Sequence, residues 1–312
     1  MEDVQPKKLS SGKQRAITSV IYVVVWLSLC ALKWCVPQGW GAFGFDLVFC
    51  AVAVLGSLEF LRAIDRSRGE NEKISLPQRI FTISFCAVIV PLYVLCELTM
   101  GQGLLAIACA FAIYAMFLSA TSVFDHKNSS VKNTVFCIFC MLYCGVLSSM
   151  LSGVNHLPQN SMAAILVLTM CPMFTDSGAF IFGKCFKRFV PLKLAPQISP
   201  NKTVIGAVGG IIGGILAAVI SYLLINYLGG FNGVELTFTS DRIHPVVSFI
   251  LVGMFTAIVS QVGDLFESAL KRECGIKDMG NVLPGHGGVL DRFDSMLYCT
   301  LIVMLAFGTI II

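Results

Sequence analysis

Asp264, Ser268, Lys271 and Arg272 stand at i, i+4, i+7 and i+8, so on a helix they share one face. Beyond them the stretch "SALKRECGIKDMGNVLPGHGGVLDRFDS" (268–295) supplies Lys277, Asp278, His286, Gly287, Gly288, Asp291, Arg292 and Asp294. Four acids and four bases gather there in a chain that is only 13% charged and 56% hydrophobic. Such a mixture is what a metal–polyphosphate site requires. Carboxylates hold Mg²⁺, a hard cation that also bridges phosphates. Lysine and arginine neutralise the remaining phosphate charge, and glycine N–H groups cradle oxyanions. The plainer alternative is interfacial snorkelling, with bases reaching for headgroups and acids as their counter-ions. That accounts for Lys271 and Arg272. It does not account for Asp264, at the inner end of an apolar run, where an ionised group costs a few kcal/mol unless paired or metal-bound.

A second cluster joins "MCPMFTDSGAFIFGKCFKRF" (170–189) to "QISPNKTVIGAVGG" (197–210). Asp176 lies inside an apolar run, roughly 10 Å from its basic end by helical rise. Pro172 and Gly178 are expected to open the helix beside it, against protein or a water-filled cavity. A buried acid there is a functional candidate by default, the alternative being a helix–helix hydrogen bond. "GAFIFGKC" has the spacing of a phosphate-binding P-loop, but Cys185 replaces the Mg²⁺-holding hydroxyl and no soluble strand precedes it. It is rejected as such a loop. Ser199, Lys202 and Thr203 directly precede a helix whose N-terminus would face an anion. An ordinary helix cap with an interfacial lysine explains the same residues.

The elements that must position these groups are membrane helices. Apolar runs reach the roughly 20 residues a span needs, and nine are expected: about 17–36, 43–62, 79–97, 103–121, 132–151, 161–183, 204–228, 246–270 and 293–311. With the N-terminus inside, 20 of the 22 Lys and Arg face the cytosol, leaving Lys33 and Arg242. The fold class is therefore an all-α polytopic integral membrane protein with about nine transmembrane helices, N-terminus cytosolic and C-terminus on the opposite side. The first span is too long for a signal-peptide core and is read as retained. Residues 1–16 form a basic cytosolic segment and 17–160 a transmembrane scaffold. Residues 161–312 form the catalytic region, with cytosolic loops 184–203 and 271–292. Gly206, Gly210 and Gly214 share one face of the seventh span, with Gly209 and Gly213 beside it, and predict close helix packing. Thirteen cysteines, mostly within apolar runs, read as small core side chains, including the Cys137–Cys140 CxxC. HExxH and lipase-type GxSxG motifs are absent, and of the four histidines only His286 sits among polar candidates. The bases track the membrane rather than an aromatic-interleaved groove, so nucleic-acid binding is unsupported.

The string Ser268-x-x-Lys271-Arg272-x₄-Lys277-Asp278-x-Gly280-x₂-Leu283-Pro284-x-His286-Gly287-Gly288-x₂-Asp291-Arg292-x-Asp294 closely resembles the signature of the phosphatidate cytidylyltransferase (CDP-diacylglycerol synthase) family. "DSGAFIFGK" and "ISPNKT" resemble that family's other recurring segments, although Ile205 stands where an acid is expected before Gly206. The resemblance covers roughly residues 165–312; the first five spans match only in hydrophobicity. It implies transfer of a cytidylyl group from CTP to phosphatidic acid, giving CDP-diacylglycerol and pyrophosphate in phospholipid biosynthesis. It also implies a multi-pass homodimer with its cavity open to the cytosol, a requirement for Mg²⁺, and a K⁺ ion beside it. By correspondence Asp264 and Asp291 become the metal ligands. Ser268, Lys271, Arg272, Ser199 and Lys202 line the phosphate cavity. Thr203, Lys277, His286, Gly287, Gly288, Arg292, Asp176 and Asp294 complete the substrate-binding set.

Two other readings stay open. A CTP-dependent lipid kinase would use the same metal–triphosphate chemistry and release CDP. A transporter would use Asp176 and Asp264 as intramembrane binding residues, but the chain lacks the internal repeat many transporters carry. Acyl-chain preference, the choice between CTP and dCTP, and the host membrane are not encoded in any motif.

Overall fold

The computed structural model describes residues 11–36, 40–69, 72–125, 127, 129–186, 188–228, 236, 244–283 and 287–310. His286 lies outside the described residues. In lipid every backbone polar group must be satisfied within its own segment, so the apolar runs can only be helical. They are α1 (Ser11–Cys35), α2 (Trp40–Arg66), α3 (Leu76–Met100), α4 (Gly103–Phe124), α5 (Val131–Cys140), α6 (Leu147–Asn155), α7 (Ser161–Phe186), α8 (Val204–Leu228), α9 (Pro245–Glu273) and α10 (Leu290–Leu305). A π-helical turn, Met141–Val146, joins α5 and α6 into one span. Among the described residues eight spans are long and apolar enough to cross a membrane. The ninth expected span is α10, which continues through a π-helical turn over Ala306–Ile310.

Most helices overrun their expected edges, because amphipathic ends such as "LRAIDR" and "SALKRE" stay helical beyond the apolar stretch. One expectation is corrected. The α7 helix is unbroken through Pro172 and Gly178. Gly178 instead lets α8 come close, since a Cβ there would run into the carbonyl oxygen of Gly209. Gly209 and Gly213 meet α7 in return, while Gly214 faces Gly253 and Ala257 of α9. The glycine ladder thus packs α7, α8 and α9 tightly, as its spacing predicts.

A short antiparallel hairpin, β1 (Lys193–Ala195) and β2 (Ser199–Thr203), links α7 to α8, pairing Lys193 with Thr203 and Ala195 with Ser199. The sequence reading had no strand here. The core runs through Phe45, Phe49, Phe60, Phe85, Tyr143, Phe249 and Phe307, all fully buried or nearly so. All thirteen cysteines are free, and Cys137 and Cys140 are buried in that core. α1 packs on the core mainly through Cys30, Trp26, Leu29 and Trp34, which leaves Val20, Val24 and Leu27 on an outer surface.

Candidate active site

The last three turns of α9 carry the acids and bases inward, and α10 and the hairpin meet them there. On α9, Gly263 packs against α10 so closely that a Cβ would lie 3.1 Å from the carbonyl oxygen of Asp294. That contact sets Asp264 level with Asp294, one turn deeper than Asp291. The carboxylate of Asp264 is ion-paired with Lys202 of β2. Further along α9, Lys271 Nζ donates to Glu267 Oε2 at 2.6 Å and to Asp291 Oδ1 at 2.8 Å. Arg272 Nε donates to the carbonyl oxygen of Ile198 at 3.3 Å, tying the end of α9 to the hairpin turn.

The loop between α9 and α10 folds back onto Asp291. Met279 N and Gly288 N both donate to Asp291 Oδ2, at 2.9 and 2.8 Å. Gly287, with φ of 87°, makes the turn, a backbone conformation that favours glycine, and its carbonyl accepts from Leu283 N at 2.9 Å. Burial pushes the thiol of the neighbouring Cys274 up, which disfavours its reactive thiolate.

Two cavities meet at Asp176. One, of about 590 Å³, is lined by Lys184, Asn201, Lys202, Thr203, Gln261 and Asp264 among others. The second, of about 470 Å³, runs between α1 and α7 past Ile21, Tyr22, Val25, Leu168 and Met173 and ends on Asp291, Arg292 and Asp294. Asp176 borders both, within electrostatic reach of Asp264, Asp294, Lys202 and Arg292. Both linings are mixed, the first the more polar and the second the more apolar, and the two cavities share a charged wall.

The structure brings together most of the candidates. Asp176, Lys202, Thr203 and Asp264 share the polar cavity; Asp176, Asp291, Arg292 and Asp294 share the apolar one. Asp264 and Asp291, expected to act as a pair, are each neutralised by a different lysine and border different cavities. Thr203 spends its hydroxyl on a cap, accepting from Gly206 N at 3.1 Å. Ser199 sits in the hairpin, Ser268 on α9 one turn from Asp264, and Lys277 exposed in the loop; none of the three lines either cavity. Sequence reasoning missed two acids. Glu267 was hidden as one more charge beside Ser268, and Glu59 of α2 was passed over as scaffold. The signal for both is an acid inside an apolar run.

Whether the site suits Mg²⁺ turns on its oxygen donors. Glu267 is fully buried; its Oε1 has no hydrogen-bond partner among the described residues, and the carboxyl of Asp294 faces it. Two carboxyls share such a space only through a proton or a cation. Among the described residues no three His, Cys, Asp or Glu converge to hold a metal unaided. Mg²⁺ does not need that, since it is commonly held by one or two carboxylates plus substrate phosphates. The donor set fits.

Over residues 13–310 the chain matches the model of the cytidylyltransferase family. Fold and match together define an integral-membrane enzyme, a nucleotidyltransferase. It is 31% identical to a phosphatidate cytidylyltransferase of Bacillus subtilis, over 92% of this chain and 94% of that one. It is also 31% identical to the Haemophilus influenzae protein of the same name, over 91% and 94%, and 28% identical to that of Staphylococcus aureus, over 92% and 95%. The chain belongs to the cytidylyltransferase family. The match takes in the first five spans as well, which the motif-based resemblance had left out.

Proposed function

We propose that the chain transfers a cytidylyl group from CTP to phosphatidic acid, giving CDP-diacylglycerol and pyrophosphate, at a site facing the cytosol. One observation carries this reading: a chamber bordered by lysines and acids and a more apolar chamber between α1 and α7 share Asp176. The nucleotide belongs in the first. The lipid belongs in the second, with its acyl chains along α1 and its phosphate at Arg292. The names of the relatives support phosphatidate and a cytidylyl donor as substrates, and the two chambers support separate seats for them.

A phosphate monoester is already an oxyanion near neutral pH, so its attack on the α-phosphorus of CTP needs no strong base. The new P–O bond forms as the bond to the β-phosphate breaks, and pyrophosphate leaves with the electron pair. The work is positioning and charge stabilisation. Lys202 and Lys271, which neutralise Asp264 and Asp291 in the structure, turn toward phosphate oxygens. Asp264 and Asp291 would then hold Mg²⁺, which would supply Lewis-acid stabilisation of the phosphates. Arg272, exposed at the end of α9, and Lys277 in the loop add positive potential around the leaving group.

The test uses purified protein, phosphatidic acid and CTP labelled at the α- or the γ-phosphate. Only α-label should pass to lipid, and only with Mg²⁺; γ-label on lipid would instead establish a kinase. Replacing K⁺ by Na⁺ in the same assay tests the monovalent ion, and mass photometry in nanodiscs tests the homodimer.

A further inference from the structure

Glu59 is only 2% exposed, and its carboxylate ends beneath the α9–α10 loop. Val289 N donates to its Oε1 at 3.0 Å and Leu290 N to its Oε2 at 2.9 Å. These amides open α10 and have no partner within the helix itself, and a carboxylate there also faces the positive end of the helix dipole. Gly288 N, one residue earlier, goes to Asp291. Three consecutive amides are thus shared between a carboxylate of the scaffold and a carboxylate of the site.

The glycines of the loop register the same contact. A Cβ at Gly280 or at Gly288 would run into the Glu59 carboxylate. Neither glycine has positive φ, so the backbone alone would accept alanine at both. Close approach of Glu59 is what excludes a side chain. Glu59 borders neither cavity and so touches no substrate in the proposed reaction.

We infer that Glu59 is a positioning residue for nucleotidyl transfer: it clamps the first turn of α10 and so aims Asp291 and Arg292 at the site. The inference rests on the proposed reaction for what those two residues do, but the clamp is measurable without turnover. Full-length Glu59→Gln keeps one acceptor oxygen and turns an amide against the other backbone N–H. In folded protein, hydrogen exchange at residues 289–290 should accelerate roughly tenfold. Half-saturating Mg²⁺ and the KM for CTP should rise roughly tenfold too, and equilibrium binding of CTP with Mg²⁺ should weaken in step. A merely structural role would lower the thermal midpoint and leave these constants unchanged in the folded fraction. Folded Glu59→Gln with native exchange at 289–290, or with faster exchange and unaltered Mg²⁺ and CTP constants, overturns the inference. Failure of the wild-type chain to make any lipid product would instead sink the proposed reaction, and exchange with CTP binding would still judge the clamp. Should Glu59→Gln not fold, Gly288→Ala reaches the contact from the other side. It should produce the same losses, and Glu59→Asp in the same chain should restore part of them by withdrawing the carboxylate. Native constants in Gly288→Ala overturn the inference as well.

Discussion

Two charged clusters sit at opposite ends of α2, and they are built differently. Near its start, Asp46 accepts from Asn155 Nδ2 on Oδ1 at 3.0 Å and pairs with His156 Nε2 through Oδ2 at 2.8 Å. Asn155 Nδ2 also donates to the carbonyl of Ala42, and Lys33 Nζ donates to both the carbonyl and the Oδ1 of Asn155. Both carboxylate oxygens and both amide hydrogens are used. This cluster staples α1, α2 and α6 together. About 20 Å along α2, by helical rise, lies the end that reaches the site. There Glu267 keeps a buried oxygen that faces the Asp294 carboxyl, Lys202 pairs with Asp264, Lys271 is shared by Glu267 and Asp291, and two cavities open onto Asp264, Asp291 and Asp294. A closed polar network adds rigidity; an open one keeps capacity for a ligand.

That contrast can be broken. Lys271→Met leaves Glu267 and Asp291 without their shared cation, at a cost of about 3–5 kcal/mol. A large fall in the thermal midpoint is expected, and an unchanged one would mean these acids are not charged partners. Asp264→Asn borders the polar cavity and should fold normally yet lose roughly 10²–10³-fold in Mg²⁺-dependent transfer. Wild-type turnover in that variant would remove Asp264 from the site. Asp46→Asn should do the reverse, losing about 1–3 kcal/mol of stability with the CTP KM unchanged; a shifted KM would mean the far cluster is not a passive staple. Smallest is Thr203→Ala, which removes a helix cap worth about 1 kcal/mol. If the KM for CTP moves more than the midpoint does, Thr203 is a substrate ligand after all.

How much of this could be read in the chain differs residue by residue. Asp264, Lys271 and Arg272 share a helical face because the α-helix has a fixed period, and their spacing survives folding unchanged. Lys33 looked like an exception to the charge asymmetry, and His156 like a histidine with no polar company. Each acquires its partner from a span more than 100 residues away, which no local pattern reports. The unbroken α7 also went against local signals: Pro172 and Gly178 suggested an opening, but the helix runs through both, with α8 packed onto Gly178. Glu59 was missed because one carboxylate near the end of an apolar run looks like any interfacial charge until the amides of residues 289 and 290 arrive above it.

From the amino acids alone came the membrane spans, their basic ends and the charged string that carries the family resemblance, because hydropathy, charge and helical period are properties of neighbours in sequence. Only the folded molecule decided that Asp264 and Asp291 take different lysines, that Asp176 separates two chambers, and that α2 holds the start of α10. Those pairings are made between helices distant in the chain, and their energies depend on which side chains meet, something no stretch of sequence contains.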